Sequence, residues 1–117
     1  AAGDGELAAI GKQLADAHTV LKETTDWLMA NGLADPTNAL AGATPYLRMC
    51  GLVVGGWLLA RSARAARRLL DAGEGDADFL QQKLVTAKFY AEQVLPQAAG
   101  LAPAVTAGPA DLLAATF

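Results

Sequence analysis

Apolar residues recur every three or four positions over three long stretches of this chain, and nowhere does the sequence alternate between apolar and polar residues as a strand would. Such spacing predicts helices that pack on one side. The first predicted helix runs from Asp4 to about Ala30. Its apolar stripe consists of Leu7, Ile10, Leu14, Ala17, Leu21, Thr24 and Leu28. The pair Asn31-Gly32 should end this helix, because both residues tolerate a positive φ.

The middle of the chain carries two helix start signals, Asp35-Pro36 and Thr44-Pro45, in which a capping side chain precedes a proline. We expect a short helix to about Ala41 and then a long helix to Asp71. The long helix is apolar all round, at Cys50, Leu52, Val53, Val54, Trp57, Leu58 and Leu59. A helix with this pattern is buried on several sides, so it is predicted to be the central helix, with Trp57 in the core.

Three glycines, Gly51, Gly55 and Gly56, lie inside this predicted central helix. Each glycine weakens an isolated helix by roughly 1 kcal/mol relative to alanine. We expect close approach of a neighbouring backbone to offset that cost. Four arginines, at positions 61, 64, 67 and 68, occupy the last turns, where positive charge suits the helix dipole.

A third long helix should follow the turn at residues 72–75, with Asp76 or Asp78 as its cap, and reach about Leu95. Its predicted inner stripe is Leu80, Leu84, Ala87, Ala91, Val94 and Ala98. Pro96 lacks an amide hydrogen and should kink the helix. Residues 97–107 are expected to add a turn or two. Gly108-Pro109 breaks the chain again before a short terminal helix over 111–117.

These elements predict one all-α domain over residues 1–117, an antiparallel up-and-down helical bundle of three long helices plus short terminal and connecting helices. The arrangement should resemble a four-helix bundle. Its fourth wall would come from residues 36–41 and 97–117, or from another molecule. The first residue is Ala1 and not methionine, which we take as a sign that the chain is a fragment of a longer protein.

The charge of the chain limits the class of molecule that it is expected to bind. The formal net charge is −3, which argues against a nucleic-acid partner. Five arginines and no acid lie between residues 44 and 70, whereas both flanking segments are acidic. Two interpretations stay open: attraction between neighbouring helices, or an arginine site for an anionic ligand.

The single cysteine, Cys50, lies in an apolar run and is expected to be a buried, inert thiol, which fits a reducing cytoplasm. The longest uncharged apolar stretch, Met49 to Ala60, is too short to span a bilayer. We therefore expect a cytoplasmic protein with no membrane span.

A search for chemistry finds no glycine-rich phosphate loop and no histidine partner for a serine or cysteine. His18 is the only histidine, and a surface or half-buried role is expected for it. The sequence thus predicts no catalytic, cofactor-binding or metal-binding residue. The remaining candidates are polar and aromatic residues of an interaction surface. These are Arg48, Lys88, Phe89, Tyr90 and Gln97, in which adjacent rings at 89 and 90 cannot both point into one core.

Two stretches carry a resemblance to a known family. One is residues 43–48 (ATPYLR), followed by Gly51 and by Gly55-Gly56-Trp57. The other is residues 87–98 (AKFYAEQVLPQA). Together they resemble the C-terminal helical accessory domain of acyl-CoA dehydrogenases, in the subgroup that includes the 3-methylmercaptopropionyl-CoA dehydrogenases. The resemblance extends from about Leu7 to Leu113, and the second stretch is the more specific.

The resemblance implies a piece of a longer flavoenzyme. In that family the catalytic body binds FAD, and a glutamate there removes the α-proton of the acyl-CoA. Neither group maps onto this chain, so no cofactor is expected in this fragment, with FAD in the parent enzyme. The implied partners are the catalytic domains of the parent or a second subunit. The alternatives are a free-standing helical protein-interaction module and a complete small enzyme.

Overall fold

In the computed structural model, the described residues 4–115 form five α-helices and one π-helical turn, and none of them forms a strand. The helices are α1 (Asp4–Ala34), α2 (Pro36–Asp71), α3 (Ala77–Phe89), α4 (Gln97–Thr106) and α5 (Ala110–Ala114), and the π-helical turn is Tyr90–Val94. The all-α bundle is confirmed. We call α3, the π-helical turn and α4 together the third arm.

The first helix is longer than predicted, because Asn31-Gly32 does not end it. Gly32 lies where α1 contacts α2, and a Cβ there would lie 2.9 Å from the Cβ of Ala39. This glycine therefore permits close packing and does not supply a positive φ. The helix ends at Ala34, because Asp35 is extended (φ −146°, ψ 110°), as expected of a residue before proline.

The second helix is continuous, so the predicted break between residues 41 and 44 is wrong. Asp35 caps it as expected, and its carboxylate accepts hydrogen bonds from the amide and hydroxyl of Thr37, at 3.0 and 2.8 Å. Pro45 lies inside the helix. A proline there removes one hydrogen bond, a cost of about 3 kcal/mol or more in an isolated helix. Packing of α2 against both α1 and the third arm on either side of Pro45 offsets that cost.

The third arm begins after a turn in which Gly73 and Gly75 adopt positive φ angles of 71° and 78°. Asp76 is the cap, and it accepts hydrogen bonds from the amides of Asp78 and Phe79. The irregularity predicted near Pro96 takes the form of a π-helical turn, with the Leu95 amide donating to the Tyr90 carbonyl at 2.8 Å.

This wider turn changes which residue of the third arm faces the core. Leu95 is fully buried, whereas Val94, predicted for the inner stripe, is only half-buried. The other five predicted positions of the stripe are buried: Leu80, Leu84, Ala87, Ala91 and Ala98.

The three long units run antiparallel along a body about 60 Å long, which is close to the length of one 36-residue helix. Their contacts form two clusters of buried residues. One contains Ile10, Ala63, Ala66, Leu80, Leu84, Ala87 and Ala91. The other contains Ala17, Val53, Leu95 and Ala98. The stripe predicted for α1 faces these clusters, with Ile10, Ala17 and Thr24 buried.

Close approach of side chains, and not of the neighbouring backbone that was expected, explains two of the three glycines singled out in α2. A Cβ at Gly55 would lie 2.7 Å from the Tyr90 hydroxyl, and a Cβ at Gly56 would lie 3.0 Å from the Leu95 side chain. The prediction is wrong for Gly51, which faces open space. The tightest contact is at Gly42, where a Cβ would lie 2.5 Å from the carbonyl oxygen of Val105 in α4.

The predicted burial of α2 on several sides is wrong. Trp57 is 49% exposed, and Val54 and Leu58 are each 51% exposed. The reason is that, within residues 4–115, the elements packed closely against α2 are α1 and the third arm. Residues 36–41 belong to α2 itself, and residues 97–106 extend the third arm, so neither segment supplies the fourth wall that was expected.

Candidate functional site

Two of the predicted interface residues meet at a shallow cleft between α2 and α4. Arg48 and Gln97 are both exposed and line this cleft of about 340 Å³ with Leu52, Gly100 and Leu101. The Gln97 amide nitrogen also donates a hydrogen bond to the carbonyl of Gln93 at 3.2 Å. The structure therefore brings Arg48 and Gln97 together, as a polar patch on the rim of the contact between α2 and the third arm.

The other three candidates, consecutive in the chain, point in different directions, because successive helical residues are rotated by roughly 100°. Tyr90 is half-buried, and its hydroxyl donates to the carbonyl of Leu52. Burial raises the pKa of the Tyr90 phenol. Phe89 is 55% exposed, and the Lys88 ammonium lies 3.7 Å from the Glu92 carboxylate. The prediction that the rings of Phe89 and Tyr90 point in different directions is confirmed. The five candidate interface residues, however, do not form one continuous patch.

The segment that follows α4 does not cover the Phe89 ring within the described residues. Within the part that the structure describes, Leu112 and Leu113 are exposed and Phe89 stays uncovered. Gly108, which leads into this segment, lies beside Asn38 at the start of α2. Thr116 and Phe117 lie outside the described residues.

A larger apolar surface lies elsewhere, along the side of α1 and α2 that faces away from the third arm. We call it the outer groove. Its middle is a hollow of about 600 Å³ lined by Gly11, Leu14, Ala15, His18, Thr19, Leu21, Val53, Val54 and Trp57. Towards the α1–α2 junction it continues as a hollow of about 490 Å³ lined by Leu28, Met29, Gly32, Leu33, Ala39, Ala43, Tyr46, Leu47 and Cys50.

The opposite end of the outer groove is basic. A hollow of about 290 Å³ joins Trp57 to Arg61 and Arg64. The next hollow, about 440 Å³, is lined by Arg61, Arg64, Ala65 and Arg68. The Arg61 guanidinium lies 4.9 Å from the centroid of the Trp57 ring, a cation–π distance. The outer groove thus changes from apolar to cationic along its length.

Among the described side chains, every ion pair joins positions i and i+4 along α1, α2 or the third arm, for example Arg67 with Asp71 at 2.9 Å. Direct ion pairs between helices therefore do not account for the basic segment in this part of the chain. Cys50 is half-buried at the groove and not fully buried as predicted.

The sequence of the whole chain decides its family. A sequence model of the family described as acetyl-CoA dehydrogenase C-terminal like matches residues 1–116. The chain belongs to this family. The resemblance carried by residues 43–57 and 87–98 is thereby confirmed.

Two curated relatives are acyl-CoA dehydrogenases. The chain is 37% identical to 3-methylmercaptopropionyl-CoA dehydrogenase of Ruegeria pomeroyi, over all of this chain and 21% of that protein. It is 36% identical to the broad-specificity linear acyl-CoA dehydrogenase FadE5 of Mycobacterium tuberculosis, over 81% of this chain and 17% of that protein. The chain therefore spans about a fifth of the length of these relatives.

The lining of the hollow in the middle of the outer groove does not fit a flavin. It is almost entirely apolar, and His18 and Thr19 are its polar side chains. An isoalloxazine ring and a pyrophosphate need several converging hydrogen-bond partners. Within residues 4–115, no group of three or more His, Cys, Asp or Glu side chains could hold a metal ion. Nor does any described helix combine the length and apolar character needed to cross a membrane.

The outer groove was not predicted from the sequence, although the sequence contains the periodic pattern that marks it. Of the α2 residues that line the groove, Cys50, Val53, Val54 and Trp57 were predicted to be buried in a central helix. The spacing of Ala43, Leu47, Cys50, Val54 and Trp57 by three or four positions marks one face, which a fourth helix or another domain could equally cover.

Proposed function

We propose that this chain is an accessory domain of an FAD-dependent acyl-CoA dehydrogenase, and that it supports the catalytic body or the assembly of subunits without catalysing a reaction itself. The flavin, the catalytic base and the acyl-CoA site would lie in the rest of the parent enzyme. In the parent, FAD would accept the hydride during α,β-oxidation of the thioester.

The observation that carries this proposal is the uncovered apolar surface of a domain that belongs to an acyl-CoA dehydrogenase family. Monomeric soluble proteins rarely leave a long apolar groove open to water, and such surfaces mark interaction sites. Large side chains including Met29, Leu33, Leu47, Val54 and Trp57 are exposed along the outer groove. A partner that covers them would gain roughly 25 cal/mol for each Å² of apolar surface removed from water.

A second region also supports docking: the cleft that holds Arg48 and Gln97, and the separate exposed side chains of Lys88 and Phe89. Its exposed ring, Phe89, is of the residue type enriched in the core of interfaces, and Arg48 adds a charged contact. This face is smaller than the outer groove and is interrupted by the buried side of Tyr90. Either face is compatible with an accessory role.

The test compares the full-length enzyme that contains this sequence with a version from which the sequence is deleted. We expect the deletion to lower the melting temperature, the retained flavin or the molar mass in solution. The 117-residue chain by itself should be colourless and should not reduce an electron acceptor with any acyl-CoA. Stoichiometric flavin on the chain would contradict the proposal, as would a deletion that changes none of these properties.

The free-standing interaction module remains the alternative. The reading frame upstream of Ala1 distinguishes the two. A frame that continues into dehydrogenase sequence supports the accessory domain, whereas a start codon directly before the codon of Ala1 supports the module.

A further inference from the structure

We propose that the outer groove is the seat of a fourth helix supplied by the rest of the full-length protein. This helix would be amphipathic, with an apolar stripe over the middle of the groove and acidic residues at the end that covers Arg61, Arg64 and Arg68. The inference rests on the proposed function and adds to it which face docks and the chemistry of what docks there.

The first argument is the arrangement of the helices. The third arm fills one side of the pair formed by α1 and α2, and its contacts bury Ala17, Val53 and Leu84. The opposite side of the same pair is the outer groove, where Val54 and Trp57 lie one helical position beyond the buried residues of α2. A groove between two antiparallel helices is the surface that a fourth helix covers in a four-helix bundle.

The second argument is length. Along α2, the apolar part of the groove extends from Ala39 to Trp57. At 1.5 Å per residue this is about 27 Å, or about five turns of a docking helix. A helix of about five turns is within the range found in globular proteins. A short loop or an isolated side chain would leave most of the stripe exposed.

The third argument is charge. The guanidinium groups of Arg61, Arg64 and Arg68 lie around one hollow at the end of the groove. Guanidinium groups bind carboxylates through paired hydrogen bonds, which favours Asp or Glu on the occupant. Arg67, by contrast, contacts Asp71 of its own helix. Stacking of Arg61 on Trp57 holds one cation directly beside the apolar part.

The same charge distribution argues against a second copy of this chain as the occupant. Two-fold pairing of one groove with itself would place the arginine end of each copy over the opposite end of the other. The residues that line that end are neutral, including Leu28, Met29, Leu33 and Leu47, so within the groove the arginines would face apolar side chains. A helix of different sequence can place its acids where the cations are.

The experiment uses the full-length protein and a matched pair of substitutions. Val54→Asp places a carboxylate in the middle of the outer groove, and Val85→Asp places one on the third arm. The two valines are 51% and 53% exposed, so neither substitution disturbs the core of this domain. Val85 lies one turn from Phe89 and therefore also probes the other candidate face.

The measurement is the rate at which a protease of broad specificity releases this domain from the full-length protein, together with molar mass by light scattering. Burying an unpaired carboxylate weakens docking, so Val54→Asp should release the domain about tenfold faster or more, with Val85→Asp unchanged. Far-UV circular dichroism checks that both variants keep their helix content. Arg64→Glu should have the same direction of effect, and its effect should shrink at high salt.

Three results would overturn the inference. Equal release rates for the two valine variants would mean that the outer groove is not the docking face. Faster release only for Val85→Asp would assign docking to the face around Phe89. A lower molar mass for Val54→Asp without faster release would make a second subunit the occupant. In each case the deletion experiment can still succeed, so failure of this inference is distinct from failure of the accessory function.

Discussion

The hydroxyl of Tyr90 donates a hydrogen bond to the main-chain carbonyl of Leu52 across 2.7 Å, and so joins the π-helical turn to the middle of α2. Gly55 makes room for the ring, because a Cβ at that position would lie 2.7 Å from the same hydroxyl. This contact fixes the rotation of the third arm and leaves Phe89 on the outside. The hydrogen bond therefore gives Tyr90 a structural role within the fold, whether or not the residue also contacts a partner.

Tyr90→Phe should lower the free energy of unfolding by about 0.5–1.5 kcal/mol, the usual net value of one hydrogen bond. The ring would stay against Gly55, so the helix content should not change. Urea unfolding followed by circular dichroism measures the difference. A loss above about 3 kcal/mol would mean that the phenol does more than make this one contact.

The same phenol predicts a loss of stability at alkaline pH. Burial raises the pKa of Tyr90 above its ordinary value of 10.0, so the folded state favours the neutral phenol. The resulting stabilisation is complete below the pKa of the unfolded chain, and it is lost as the pH rises through the folded-state pKa. Unfolding midpoints above pH 10 should therefore fall less in Tyr90→Phe than in the parent chain.

The Tyr46→Phe variant provides the direct check, because it leaves Tyr90 as the only tyrosine. Ultraviolet titration of its tyrosinate absorbance should give a midpoint above that of the chain unfolded in urea. Coincident midpoints would contradict the prediction.

Two glycines of α2 should respond to alanine in opposite directions. Gly42→Ala places a methyl group 2.5 Å from the Val105 carbonyl, and the overpacking should cost about 1–3 kcal/mol. Gly51→Ala enters open space and should raise stability by up to about 1 kcal/mol, through helix propensity. Denaturant unfolding of the pair checks both signs. Stabilisation by Gly42→Ala would show that α4 does not approach α2 this closely.

Trp57→Ala should cost the isolated chain much less than a core substitution. The ring is 49% exposed and rests at the outer groove, so we expect a loss of about 1 kcal/mol. Leu84→Ala, at a fully buried position, should cost about 2–5 kcal/mol. Thermal melts of the two variants decide between a groove residue and a core residue at position 57. Equal losses would restore the core assignment.

The 117-residue chain should fold by itself, because its two clusters of buried residues are formed entirely within the chain. Circular dichroism should show a mostly helical spectrum and one cooperative thermal transition. A coil spectrum at neutral pH, or a broad melt without a transition, would mean that the outer groove must be covered before the helices pack.

The sequence predicted the helices better than it predicted the surface that the packed helices leave exposed. The candidate residues Arg48 and Gln97 share a cleft, but Lys88, Phe89 and Tyr90 diverge, because neighbours on one helix cannot share a direction. The outer groove was not predicted, because an apolar stripe has the same pattern whether this chain or another covers it. The two cases, cover by this chain and cover by another, differ only in how many helices of this chain pack against α2.

The sequence by itself determined the helical class, the cap at Asp35, the core stripe of α1 and the family, and it reduced the cap of the third helix to Asp76 or Asp78. These follow from side-chain chemistry over a few residues, from periodicity, or from similarity along the chain. The tertiary structure decided that Pro45 and Asn31-Gly32 lie inside helices, that Leu95 and not Val94 is buried, and that Trp57 faces the solvent. Each of these outcomes depends on packing between segments that are distant in the chain. The free energy of that packing exceeds the local conformational preference, and it cannot be inferred from the residue concerned or from its neighbours in sequence.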